Sequence, residues 1–136
     1  MANADVEDRA IALVIAYEMR RLNLRTSASI RRVPRGEGYD LESADGRKIE
    51  VKGTEGESVN MGFRFNTREE IQFAESGGFV YRVIDVFGSP RLYIFRGNDL
   101  NLYRSEWASV SAPKRILGAP VDLPDGGAGS ADTGQP

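Results

Sequence analysis

The chain has 136 residues, of which 40% are hydrophobic and 28% are charged, and its formal net charge is −2. This length and composition predict one globular domain. We expect it in the cytoplasm, because no apolar run is long enough to span a membrane and the first residues lack the pattern of a signal peptide. The absence of Cys and His excludes zinc fingers, thiol chemistry and Ser-His-Asp triads.

The first predicted element is a helix over residues 5–22, where apolar residues recur at helical spacing. The polar connection 23–37 follows, with room for a short strand around residues 28–33. Six arginines and no acid lie between positions 20 and 36. Such a cluster can contact phosphates, although a solvated helix end and loop would give the same pattern. The candidates for nucleic-acid contact are Arg25, Arg31, Arg32 and Arg35.

Two short segments on either side of Asp45 alternate between apolar and polar side chains, which predicts a β-hairpin. A three-residue turn centred on Asp45 places Asp40 opposite Glu50, with Lys52 on the same face as both acids. A two-residue Asp-Gly turn would put the acids on opposite faces, and the sequence leaves both registers open. The strands are predicted at residues 39–43 and 47–53. In the first register the apolar face consists of Tyr39, Leu41, Ile49 and Val51.

A third strand and a second helix follow the hairpin. Residues 61–66 predict the strand, and Thr67 with Glu70 three positions later is a capping box that begins the helix. Gly77-Gly78 predicts its end, after about residue 75. Two more strands, at 79–87 and 91–95, and a short helix around Trp107 within residues 98–110 complete the predicted domain.

The order of these elements predicts a mixed α/β fold, of the α+β type with one mixed sheet. We expect the domain to occupy residues 1–112. Residues 113–136 are dominated by Pro, Gly, Ala and Asp, which predicts a disordered tail.

Asp40, Glu50 and Lys52 are charged residues in a segment where a strand should be apolar. Two carboxylates and the Val51 carbonyl can hold a hard divalent ion such as Mg²⁺ or Mn²⁺, since imidazole and thiolate ligands are absent. A lysine two residues after the glutamate shares its face and can orient a water or stabilise charge on a phosphate. A Glu-x-Lys triplet alone is more often a surface pair on an exposed strand.

These residues, after a helix and before a third strand, a helix and a fourth strand, resemble the PD-(D/E)xK nuclease superfamily with its restriction-endonuclease-like fold. More closely, the motifs Gly38-Tyr39-Asp40-Leu41 and Ile49-Glu50-Val51-Lys52-Gly53-Thr54, with segment 65–83, resemble the DUF3883 family. That family is the domain found at the C-terminus of NO VEIN-type proteins. The resemblance covers roughly residues 10–97.

The resemblance implies an αβββαβ core with a metal site at Asp40, Glu50 and Lys52. Many superfamily members add an acid from the first helix. Glu18 is the matching position, although a solvent-facing helix residue would fit it equally well. Gln72 on the second helix could contact nucleic acid, although a structural role is the simpler interpretation.

Together the residues and the resemblance predict a Mg²⁺- or Mn²⁺-dependent nuclease acting on DNA. The alternative is a catalytically inactive nucleic-acid-binding or protein-interaction module on the same scaffold. Such a module would serve a helicase or defence system supplied in trans. A homodimer is compatible with either function.

Overall fold

A computed structural model describes residues 3–58, 62–104, 108–111 and 120–123. Within these ranges there are two helices, a 3₁₀ turn and nine strands, and the strands form two sheets. This architecture confirms the predicted α+β class. No helix in these ranges is long and apolar enough to cross a bilayer. The elements are α1 (Asn3–Arg21), β1 (Arg31–Arg32), β2 (Leu41–Glu42), β3 (Lys48–Gly53), β4 (Phe63–Phe65), α2 (Arg68–Glu75), β5 (Phe79–Ile84), β6 (Arg91–Arg96), the turn Gly97–Asp99, β7 (Asn101–Arg104), β8 (Ala108–Ser111) and β9 (Val121–Asp122).

The larger sheet has the strand order β1-β2-β3-β5-β6-β9, and the smaller one has the order β4-β8-β7. All pairings are antiparallel except that of β3 with β5, where Glu50 lies beside Val80 and Val51 beside Tyr81. Two parallel neighbours cannot be joined by a tight turn. The connection between them therefore crosses over the sheet, and it carries both β4 and α2.

The two faces of the larger sheet have separate cores. Helix α1 covers one face, where its apolar stripe packs on Ile49, Val51 and Tyr81. Helix α2 and β4 cover the other face and pack on Val80 and Phe95. Because side chains alternate along a strand, Glu50 and Lys52 point to the α2 face.

The β2–β3 hairpin has the three-residue turn that brings the acids to one face. Leu41 pairs with Ile49 and Glu42 with Lys48, so the register is centred on Asp45. Gly46 takes the left-handed conformation with φ +91°, as this type of turn requires. Of the two registers that the sequence leaves open, the structure has the one that brings Asp40 and Glu50 to the same face.

The chain leaves the hairpin ladder just before Leu41, and this overturns the predicted position of Tyr39. Gly38 has φ +92° and turns the preceding segment towards α2. Tyr39 consequently stacks on Phe73 of α2, with ring centroids 5.0 Å apart. Leu41 lies in the α1-facing core as predicted.

Helix α2 has the predicted ends. The Thr67 hydroxyl accepts a hydrogen bond from the Glu70 N–H, which caps the first turn. At the other end Gly77 adopts φ +92° and its N–H donates to Ala74, as expected of a glycine that terminates a helix.

The later part of the chain differs most from prediction. Residues 101–104 and 108–111 are strands rather than a helix, while Trp107 lies outside the described residues. The strand predicted at 79–87 ends at Ile84, because Asp85 has φ +53° and turns the chain. Val121–Asp122 pairs with β6, so the sheet extends beyond the boundary predicted at residue 112.

Candidate metal centre

The structure brings together the three charged residues predicted from the hairpin. Lys52 Nζ lies 3.0 Å from Glu50 Oε2, and Asp40 Oδ2 accepts a 2.8 Å hydrogen bond from the Val51 N–H. The Glu50 residue is 3% exposed. Glu70 of α2 completes the group, since its Oε1 lies 3.1 Å from Lys52 Nζ. We call these four side chains, Asp40, Glu50, Lys52 and Glu70, the β3 charge cluster.

Glu70 reaches the cluster because of its place in the first turn of α2. Its backbone N–H is held by the Thr67 cap, and its carboxylate accepts a 3.0 Å hydrogen bond from the Asn66 N–H. In a full capping box that carboxylate would return to the cap residue itself. Here it bonds one residue earlier, and the same oxygen contacts Lys52. A residue that the sequence explained as a helix cap therefore also anchors the lysine.

Asp40 is held in place by the bend that precedes it. At Gly38 an added Cβ would lie 2.4 Å from the backbone oxygen of Glu69, so the chain passes α2 in direct contact. Two residues later, the Asp40 carboxylate accepts a hydrogen bond from the Val51 N–H. If β2 continued towards its N-terminus, this N–H would instead donate to a backbone carbonyl of β2. The aspartate therefore satisfies a backbone donor and faces Glu50 at the same time.

Burial determines the electrostatics of the cluster. It raises the pKa of Glu50 well above its usual value, against the attraction of Lys52. Burial also raises the pKa of Asp40, although the Val51 N–H opposes it. For Lys52, burial lowers the pKa, but Glu50 and Glu70 outweigh that effect and raise it. Three carboxylates thus lie around one ammonium group, and burial makes the charged forms of Asp40 and Glu50 less favourable than they are in water.

The donor atoms of the cluster suit Mg²⁺ or Mn²⁺, which prefer carboxylate and carbonyl oxygens. Asp40 and Glu50, with the Val51 carbonyl between Glu50 and Lys52, are the residues that would hold such an ion. Within the described ranges no set of three or more acids has the geometry of a metal cage.

Glu18 lies on the opposite face of the sheet. Its carboxylate is fully buried and contacts Tyr81 Oη at 2.7 Å, Ser43 Oγ at 2.7 Å and Arg21 Nε at 2.9 Å. Burial raises its pKa, but the bonds from these partners outweigh burial and lower it. Tyr81 is paired with Val51, so the Glu18 network is on the α1 face. Glu18 is neither solvent-facing nor grouped with the β3 charge cluster.

The candidate nucleic-acid contacts are exposed, and none of them belongs to the β3 charge cluster. Arg31 and Arg32 form β1 at the edge of the large sheet. Arg31 contacts Glu42 at 2.5 Å and Arg32 contacts Asp8 at 4.0 Å. The remaining exposed candidates are Arg25, Arg35 and Gln72.

Arg82 is a residue of this region that sequence analysis did not select. It lies beside Lys52 in the β3–β5 register, and its Nη1 donates to the Lys52 carbonyl at 3.3 Å. The ring of Phe63 covers the guanidinium, with the centroid 4.8 Å from Cζ. Its signal in the sequence was a lone charge within the apolar strand Phe79–Ile84.

Comparison with known families adds one finding. The family model described as "Protein NO VEIN, C-terminal" matches residues 6–95. The match includes most of α1, the hairpin with Asp40 and Glu50, and Arg82. No curated protein and no solved structure matches the chain.

Proposed function

The chain belongs to the family of NO VEIN C-terminal domains, and we propose that this domain is a metal-dependent nuclease that hydrolyses phosphodiester bonds in DNA. The proposal includes a restriction-endonuclease-like αβββαβ core of the PD-(D/E)xK type. The observation that carries it is the convergence of Asp40, Glu50 and Lys52 on one buried face, where a sheet should hold apolar side chains.

Each residue of the cluster has a chemical role in this proposal. Asp40, Glu50 and the Val51 carbonyl would hold Mg²⁺ or Mn²⁺. The bound ion would supply Lewis acidity and lower the pKa of a water. The Lys52 ammonium group would orient that water or stabilise negative charge on the phosphate. Glu70 holds Lys52 at 3.1 Å and so limits the positions that the ammonium group can take.

A second candidate function is a nucleic-acid-binding or protein-interaction module without catalysis, which would serve a helicase or defence-system partner. Two observations favour it. Lys52 is already paired with two carboxylates, and Glu18 belongs to a different network on the opposite face. A fold that supports catalysis in one protein can serve binding in another.

The test is DNA cleavage by the purified protein in the presence of MgCl₂ or MnCl₂, with EDTA as the metal-free arm. Supercoiled plasmid, linear duplex and single-stranded DNA should all be tested. We expect cleavage that requires metal and is lost in Glu50→Gln and in Lys52→Met. Glu69→Gln is the matched control, since it removes the same charge from an exposed position next to Glu70, outside the cluster.

Two results would refute catalysis. One is the absence of cleavage of every DNA form in the presence of metal, and the other is equal cleavage by Glu50→Gln and the wild type. Salt-sensitive DNA binding that Glu50→Gln leaves unchanged would instead support the binding module, because phosphate contacts give affinity its salt dependence.

A further inference from the structure

Arg82 is a buried cation for which the described part of the chain provides no carboxylate. The residue is 3% exposed, and its Nε is buried without a hydrogen-bond partner within the described ranges. The contacts of its guanidinium are a 3.3 Å bond from Nη1 to the Lys52 carbonyl and the Phe63 ring. Burial lowers the pKa of Arg82 to about 10, with no charge partner contributing. The group therefore remains charged at neutral pH.

This arrangement is costly for a residue with only a structural role. A buried charge without a counter-ion is strongly destabilising, because it loses its hydration and gains no opposite charge in return. Arg82 also lies directly across from Lys52, and like charges in that position repel each other. The acids near Lys52 do not relieve Arg82, because Glu50 and Glu70 are paired with the lysine. An apolar residue would fit the rest of β5 without these costs.

An anion from outside the chain would compensate the buried positive charge of Arg82. Guanidinium groups bind phosphate through parallel N–H groups and keep their charge when buried. One of the Arg82 donors is already used by the Lys52 carbonyl, and this bond fixes the side chain while Nε remains unpaired. The ring of Phe63 covers the guanidinium and is half-buried. A phosphate that binds Arg82 would have to displace this ring, which belongs to the small sheet.

We propose that Arg82 is a phosphate-binding residue that receives a backbone phosphate of nucleic acid beside Lys52. This inference rests on the proposed function only in naming nucleic acid as the source of the phosphate. The register that places Arg82 beside Lys52 sets the phosphate next to the β3 charge cluster. Arg82 thus becomes a positioning residue for the substrate backbone, while Lys52 remains the cation nearest to the carboxylates.

The test is a titration followed by NMR in EDTA, so that no metal chemistry contributes. Protein labelled with ¹⁵N at arginine gives an Nε–Hε signal for Arg82, which is identified by its loss in Arg82→Lys. Sodium phosphate, sodium chloride at matched ionic strength and a short DNA duplex are the three additions. We expect saturable shifts with phosphate and with DNA and none with chloride. Arg82→Met should bind DNA roughly tenfold more weakly or worse, as expected for loss of a charge-assisted hydrogen bond, whereas Arg64→Met, on the exposed side of β4, should bind nearly as well as the wild type.

An Arg82 signal that moves with neither phosphate nor DNA would overturn the inference, as would DNA binding by Arg82→Met equal to that of the wild type. A response to inorganic phosphate alone would overturn the assignment to nucleic acid. If Arg82→Met does not fold, the wild-type titration decides the question. Failure of the proposed nuclease is a separate result, because absent cleavage with an intact Arg82 response would refute catalysis and support phosphate binding.

Discussion

Gly38 should be the glycine whose replacement damages the candidate site most. Its φ of +92° lies in the left-handed region, and a Cβ there would be 2.4 Å from the Glu69 carbonyl oxygen and 2.8 Å from its carbon. The left-handed conformation costs an alanine about 1–2 kcal/mol. Forcing extra volume into a packed contact adds about 1–3 kcal/mol. Gly38→Ala should therefore lower the free energy of unfolding by about 2–5 kcal/mol.

Gly36→Ala separates the two contributions. Gly36 has φ +95° and nothing within 4 Å of its added Cβ, so only the conformational cost of about 1–2 kcal/mol applies. Urea denaturation of both variants gives the comparison, provided that the m-values stay equal. Equal losses for the two variants would refute the claim that the chain is in contact with α2 at Gly38. Gly38→Ala should also weaken Mg²⁺ binding more than Gly36→Ala does, because Asp40 follows the displaced segment.

Two further predictions concern the carboxylates. Glu18→Gln should lower the free energy of unfolding by about 2–4 kcal/mol, because Arg21 and Tyr81 would lose a buried charged acceptor. Its Mg²⁺ affinity by calorimetry should equal that of the wild type, and a weakened metal affinity with unchanged stability would contradict the placement of Glu18. Burial raises the pKa of Glu50 in the folded, metal-free protein, so the folded state keeps a proton that the unfolded chain releases at the same pH. The resulting contribution to stability is lost as the pH rises from about 4.5, the ordinary pKa of Glu, through the folded pKa. In urea titrations at increasing pH, the free energy of unfolding should fall less steeply with pH for Glu50→Gln than for the wild type. An equal dependence on pH in the two proteins would show that folding does not raise the pKa of Glu50.

The elements whose evidence is local in sequence were predictable. The hairpin follows from alternation on either side of Asp45, and the spacing of ten residues from Asp40 to Glu50 with one glycine in the turn fits the register that the structure has. The first turn of α2 follows from Thr67 and Glu70. These features depend on neighbours within a few residues, so alternation and capping chemistry are sufficient to identify them.

The features that the sequence could not fix depend on distant contacts. Phe63 pairs with Val110, and no local pattern indicates that this strand joins a second sheet. The face to which Glu18 turns is set by the packing of α1 on β3, not by helical spacing alone. The sequence shows the charge of Arg82 but not its surroundings. Only the fold shows that no described carboxylate lies beside its guanidinium.

The two arginines of β1 have a consequence for how this protein meets other chains. An exposed sheet edge offers unpaired backbone groups on which a strand of another molecule can extend the sheet. Strand β1 spans only Arg31–Arg32, and both side chains are cationic and solvent-exposed. A second copy that approached along this edge would bring the same two charges against them. Glu42 and Asp8 offset part of this charge, and the two exposed arginines disfavour strand-to-strand association along the edge.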